Sequence, residues 1–369
     1  MTEQIVLNCR HCGQKNRIDI ERALYHTDEI HCGKCKKNIF LGQDEKLDFF
    51  DLGDFIHPMD YSTMETIKKI PAITSILKFL VKNTKEKFFK VMHYQNYIRV
   101  SENQYPKLYK LYKEMVYVLN LSDNEPELFV YKSPMINAYT YGVDKHFIGI
   151  STAALEELSD DQVQDILAHE LGHVVLGHVL YKMAAIIVAQ LSISVANKTL
   201  GLGGVLISPI RFALLSWSRA SELSADRVAI MATRKLKAAH LTTLKLAGGV
   251  STYKDEDYNF KDFLAQSEKA RQIEDESILT KIYNFWENQQ ITHPFPLWRA
   301  GELDKWAKSG DYLRVISKNH VTERGLIRDV QKCENCNNEY SVRLTVCPYC
   351  GHSKEKSDES FFDKLKGLF

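Results

Sequence analysis

Between residues 61 and 121, apolar side chains recur three and four positions apart, at Ile67, Ile70, Ile73, Ile76, Leu77 and Leu80 and again at Leu108, Leu111, Tyr112, Met115, Val116 and Leu119. That period gives each segment one core-facing side and predicts helices, with Pro71 and Pro106 at helix starts, where a missing N–H breaks no bond. The period then changes. Leu128-Phe129-Val130-Tyr131, the stretch 137–141 and the stretch 147–150 read as short strands, with a turn at Ser133-Pro134. Another helix is announced by Ser159-Asp160-Asp161-Gln162, a capping box with Ser as N-cap, Gln at the third helical position and two acids in the positive first turn. The expected fold class is mainly α with a small β-sheet (α+β).

This last helix contains His169-Glu170-Leu171-Gly172-His173, the spacing H-E-x-x-H. At 3.6 residues per turn, imidazoles four apart share a face and can reach one metal ion, with Glu170 beside them. A catalytic zinc takes a third protein ligand and keeps its fourth position for water. Ser218-Arg219-Ala220-Ser221-Glu222-Leu223-Ser224-Ala225-Asp226-Arg227 offers that ligand on a second helix, where Glu222 and Asp226 are also four apart. Glu222 is the expected ligand; Asp226, one turn on, is the expected acceptor that fixes the tautomer of a ligand histidine. His178 lies five positions after His173, about 140° round the helix, and reads as a core histidine or a support for the ligands.

The 8 cysteines all fall into C-x2-C pairs, Cys9/Cys12, Cys32/Cys35, Cys333/Cys336 and Cys347/Cys350. Each quartet can present four thiolates to one tetrahedral zinc ion, and both look like zinc ribbons. Ile5-Val6-Leu7 and Ile39-Phe40-Leu41 suit the strands beside the N-terminal knuckles. His11, His31 and His352 sit next to thiols, but four thiolates already fill a coordination sphere. Disulfides are the alternative; they need an oxidising compartment, and residues 1–9 show neither a basic nor an apolar signal region, so the cytoplasmic side is expected.

Charge narrows the partners. Lys plus Arg (48) nearly cancels Asp plus Glu (47), and 44% apolar residues with only 18 Gly and 9 Pro exclude collagen-like, wholly disordered and multi-span membrane chains. Residues 1–40 carry 7 basic and 5 acidic side chains and residues 331–369 carry 6 of each, while a four-thiolate zinc site itself adds about two negative charges. The ribbons are therefore expected to dock to protein, not to nucleic acid. Two segments suggest contact with a membrane. The insert 183–217 is largely apolar, yet glycines, Pro209 and Arg211 interrupt it, so two short buried or lid-like helices are expected and a membrane-dipping hairpin is the alternative. The tail 360–369 places Phe361, Phe362, Leu365, Leu368 and Phe369 on one helical face, fit for a membrane surface or an apolar groove, with a frayed terminus as the alternative.

Taken together, HELGHVVLGH at 169–178, SRASELSADR at 218–227, Asn137-Ala138-Tyr139 upstream and the block from Thr292 to Ala300 downstream resemble the M48 family of zinc metallopeptidases over roughly residues 60–320. The resemblance implies a mainly helical gluzincin domain with a small sheet, zinc held by His169, His173 and Glu222, and Glu170 as general base. It makes His293 and Arg299 candidates for stabilising the oxyanion, a structural pair with an acid being the alternative for Arg299. It makes Asn137, Ala138 and Tyr139 a substrate-binding strand edge, the alternative being a core strand with Tyr139 packed inward. The expected organisation is an N-terminal ribbon at 1–45, a peptidase domain at 60–325, a C-terminal ribbon at 330–353 and a linker with amphipathic tail at 354–369. One catalytic and two structural zinc ions are expected. The function implied is a zinc-dependent endopeptidase cutting peptide or protein substrates, with ribbons that recruit a partner or substrate. The alternative is a ribbon adaptor that binds without cutting, against which the intact Glu170 counts.

Overall fold

The computed structural model describes residues 3–47, 54–68, 87–142, 145–198, 202–248, 259–275, 296–318, 330–334 and 339–341. The chain opens with an antiparallel hairpin, β1 (Gln4–Asn8) against β2 (Lys15–Asp19), whose turn carries Cys9 and Cys12. Helix α1 (Ile20–Tyr25) is capped by the Asp19 side chain, which accepts from the Arg22 N–H. The expected strand at Ile39-Phe40-Leu41 does not form. These three side chains are buried, and the Leu41 N–H donates to Ile316 O (2.8 Å), so the chain here meets a helix end instead of a sheet edge.

Next come α2 (Pro58–Lys68), α3 (Lys87–Asn96), β3 (Ile98–Arg99) and α4 (Pro106–Val118), with Pro106 in the first turn as its fixed φ favours. Strands β4 (Glu127–Tyr131), β5 (Ala138–Tyr141) and β6 (Phe147–Ser151) complete a four-stranded sheet of order β3-β4-β6-β5. Only the β4–β6 pair is parallel, and β5 forms an edge. Helix α5 (Thr152–Glu157) leads to α6 (Asp160–Val175), where both bonds of the capping box form: the Gln162 N–H donates to Ser159 Oγ (3.4 Å) and the Ser159 N–H to Gln162 Oε1 (2.9 Å).

Helix α6 is buried on every side from Gln162 to Val175, between β5, α4, α8 (Leu202–Thr233) and α9 (Leu236–Ala247). Its partner α8 is reached through α7 (Val179–Lys198). The insert thus departs from the short helices expected of it. Pro209 is carried inside α8, a helix of 32 residues, about 48 Å long at 1.5 Å per residue. The apolar second half of the insert is therefore the first part of the same helix that bears Glu222. Along its length α8 packs on α7, α6 and α2. No single helix among the described residues is long and apolar enough to cross a membrane.

Helices α10 (Phe260–Asp275), α11 (Pro296–Lys308) and α12 (Asp311–Ile316) close the body, followed by the pair β7 (Val330–Lys332) and β8 (Glu339–Ser341). Cys333 lies directly after β7 and is buried. Cys336, Cys347, Cys350, His293 and the tail 360–369 lie outside the described residues.

Candidate metal centre and active site

Two helices converge. His169 and His173 project from α6, Glu222 from α8, and their three candidate ligand atoms all lie within 4.8 Å of one another, every one of these residues buried. His169 Nε2 stands 3.3 Å from Glu222 Oε2, and His173 Nε2 stands 3.3 Å from Glu222 Oε1. Ligands bonded at about 2.0–2.1 Å to a tetrahedral zinc stand about 3.3 Å apart, so the donor set, two imidazole nitrogens and a carboxylate, fits zinc in spacing as well as in chemistry.

Asp226, one turn beyond Glu222, lies 2.9 Å from His169 Nδ1. Arg299, from α11, grips Asp226 with both Nε (2.8 Å to Oδ2) and Nη2 (2.5 Å to Oδ1), and its Nη1 is 3.3 Å from Glu222 Oε2. Burial alone would raise the Asp226 pKa. The charge and hydrogen bonds of Arg299, joined by His169, outweigh it and hold the carboxyl well below its ordinary value. Burial likewise opposes protonation of His169, but the hydrogen bonds to Asp226 and Glu222 raise its pKa. His173 goes the other way: burial and then the Lys182 charge push it well below the usual histidine range. Of the two readings of Arg299, the geometry matches the ion pair. Its guanidinium pairs with Asp226 behind His169 and with Glu222 itself.

Peptidase family M48 matches residues 102–307, more than half of the chain. The chain belongs to peptidase family M48. It is 30% identical over 270 residues, 73% of this chain and 76% of the relative, to plastoglobule-localized metallopeptidase 48, chloroplastic, of Arabidopsis thaliana. Shorter likenesses join it to protease HtpX of Xylella fastidiosa (strain M12), 37% identical over 54 residues, 14% of this chain and 19% of that protein. Protease HtpX of Shewanella sp. (strain ANA-3) is 41% identical over 54 residues, with the same two shares. The protein is thus a metallopeptidase, and its substrates are peptides or proteins.

Around the centre of this M48 peptidase, the edge strand β5 divides its side chains by the period of two. Thr140 faces α6, and its Oγ donates to Glu170 Oε2 (2.5 Å), fixing the carboxylate next to the ligand histidines. Tyr139 points to the other face. Its hydroxyl is 3.1 Å from His93 Nε2, and its ring covers Gly149, where a Cβ would come within 2.5 Å of Tyr139 Cζ. Ala138 is buried on the Thr140 side, and the Asn137 N–H donates to Ser151 Oγ (3.0 Å) at the entry to the strand. Tyr139 therefore matches the inward-packed alternative.

The alternation of β5 sets Thr140 on the face opposite Tyr139, but only the packing of β5 on α6 brings it to Glu170. Lys182 had no comparable signal. It follows His173 by nine positions, yet its Nζ lies 3.0 Å from His173 Nε2 and 2.5 Å from Glu222 Oε1 because α7 folds back over the centre.

The N-terminal cysteines form the other cluster of metal-ligating groups found among the described residues. Cys9, Cys12, Cys32 and Cys35 lie together, with Sγ–Sγ separations of 3.6 Å for Cys9–Cys35 and 3.7 Å for Cys12–Cys32. A disulfide would bring sulfurs to about 2.0 Å. Thiolates bonded to zinc at about 2.3 Å stand about 3.8 Å apart, so the spacing fits a tetrahedral ion. The N–H groups of His11 and Lys34 each donate to a cysteine sulfur (3.4 Å).

Proposed function

We propose that this protein is a zinc-dependent endopeptidase that hydrolyses internal peptide bonds of extended substrates. The observation that carries the proposal is the triangle of His169, His173 and Glu222 with the Glu170 carboxylate fixed beside it by Thr140. Zinc held there would acidify a water molecule and polarise the scissile carbonyl. Glu170 takes the proton from the attacking water and passes it to the leaving nitrogen. His169, tied to Asp226, and Arg299, tied to Asp226 and Glu222, keep the ligand atoms in place through the reaction. The substrate lies along the edge of β5 at residues 137–141 as an added strand, with main-chain bonds giving affinity without demanding one sequence. His293 is the proposed oxyanion donor.

The ribbons recruit protein partners or substrate, and the N-terminal one does so from a fixed seat on the peptidase body. The tail 360–369 is the segment proposed to touch a membrane surface.

An unfolded protein such as reduced casein tests the assignment. Cleavage should occur, stop with a chelator and return with zinc. Glu170→Gln should keep its metal and lose turnover by about 10²–10⁴-fold. Unchanged turnover in that variant would refute the mechanism, and no cleavage by the zinc-loaded wild type would favour the non-cleaving adaptor.

A further inference from the structure

His173 is approached from behind by two buried residues that the ligand set does not include, His178 and Asp60. The first arrives by way of a helix stop. Helix α6 ends at Val175 with Leu176 as its C-cap, and Gly177 takes a left-handed φ of 69°. The Gly177 N–H donates to Val174 O (3.0 Å) and the His178 N–H to His173 O (2.9 Å), the two bonds of a Schellman turn. The chain leaves along α7 at 87° to α6. His178 thus does not continue round the helix, as its spacing suggested. It returns beside His173, with Nδ1 to Nδ1 at 3.0 Å.

Asp60 comes from α2, N-terminal to residues 102–307 that the family matches. Its Oδ2 is 3.2 Å from His178 Nε2, and it also accepts from Trp217 Nε1 (2.8 Å) and Ser224 Oγ (2.7 Å). Asp60 and His178 are both 0% exposed.

The two ends of this chain dictate where its protons lie. A carboxylate only accepts, so His178 carries its proton on Nε2 and accepts on Nδ1. His173 must then carry its proton on Nδ1, which leaves a lone pair on Nε2, the atom facing Glu222. The other end requires the same order, because the Lys182 ammonium 3.0 Å from His173 Nε2 only donates. A doubly protonated His178 would drive the His173 proton to Nε2, against that ammonium.

We infer that Asp60, acting through His178, is a positioning relay that fixes the tautomer and ring orientation of His173 and so aims its Nε2 at the catalytic metal. The centre is then braced twice, by Asp226 on His169 and by Asp60 on His173. The inference rests on the reading of His169, His173 and Glu222 as the metal ligands.

The test uses the full chain with its ribbon ions in place. Affinity of the nitrogen–oxygen site is measured by chelator competition, with Co²⁺ as the spectroscopic probe, since thiolate-bound cobalt absorbs differently. Asp60→Asn and His178→Leu should each weaken metal binding by about 10–100-fold. His178→Gln, whose amide can accept from His173 and donate to Asp60, should stay within a few-fold of wild type. Wild-type affinity in Asp60→Asn and His178→Leu would overturn the relay. If the Leu variant fails to fold, ¹⁵N shifts of the histidines in metal-free wild type decide: a proton on His173 Nδ1 supports the relay and one on Nε2 overturns it. A wild-type chain that binds no metal outside its ribbon would instead overturn the ligand assignment, and the relay with it.

Discussion

Asp165 sits one turn before His169 on α6, buried, and its burial followed by the nearby Asp226 charge raises its pKa to about 7. In an unfolded chain an aspartate titrates near about 3.9. Between those values the unfolded state has released the proton while the folded state retains it. The stabilisation from the neutral acid is thus complete below about pH 4 and is lost as the pH rises through 7. Asp165→Asn carries no such charge, so its stability relative to wild type should rise by roughly 2–3 kcal/mol between pH 5 and pH 8, read from urea unfolding of both proteins at each pH. At this scale the sequence disclosed His169, His173 and Glu222 as one candidate metal-binding group with Glu170 among them, because H-E-x-x-H and E-x-x-x-D are local spacings that a helix converts directly into shared faces. It did not disclose Thr140, Lys182 or Asp60 as neighbours of the centre. Each reaches it from another element, and no local period links positions that distant.

The helix ends are where element-scale physics positions chemistry. The Schellman turn at Gly177 both terminates α6 and swings His178 back, and it needs a residue that tolerates positive φ. Gly177→Ala should therefore lower stability by about 1–2 kcal/mol, and Gly177→Asn by less, since asparagine visits the left-handed region more readily. Thermal or urea unfolding of the two variants checks the order. The capping box at Ser159 was fully legible beforehand, being written in four consecutive residues. The helix stop was not anticipated, although a glycine before a histidine stood in plain view, because the apolar run on both sides resembles one continuous helix. Pro209 misled in the opposite sense. Its local preference is to break a helix, yet α8 runs on through it from Leu202 to Thr233.

For the molecule as a whole, the N-terminal segment that carries the four-cysteine cluster is fastened to the helices that follow it. Arg234, in a left-handed turn with φ 54°, donates to Gln43 O (3.0 Å), Glu45 O (2.7 Å) and Ala232 O (2.8 Å). The Leu47 N–H donates to Val118 O (2.8 Å), and Ile5 packs so closely on Gly310 that a Cβ there would come within 2.7 Å of its Cδ1. Loss of the zinc proposed for this cluster should therefore be felt in the rest of the chain. Cys32→Ser is expected to lower the melting temperature by several degrees in one cooperative calorimetric transition, because a structural zinc contributes directly to folding free energy. A separate early transition, with the main one unmoved, would show that the ribbon melts alone. Elemental analysis of the wild type should return three zinc ions per chain.

The sequence by itself determined the chemistry of the candidate ligands, the helical and strand character of the segments that bear them, and the grouping of Cys9, Cys12, Cys32 and Cys35, since all of these are set by short-range spacing and side-chain type. Only the tertiary structure decided that Arg299 pairs with Asp226, that Tyr139 takes the face of β5 opposite Thr140, that His178 doubles back to His173 and that the N-terminal cysteine-bearing segment is seated on the helices that follow. Those outcomes depend on which buried faces meet. Burial makes a polar atom's choice of partner energetically decisive, and that partner is selected by packing among elements far apart in the chain.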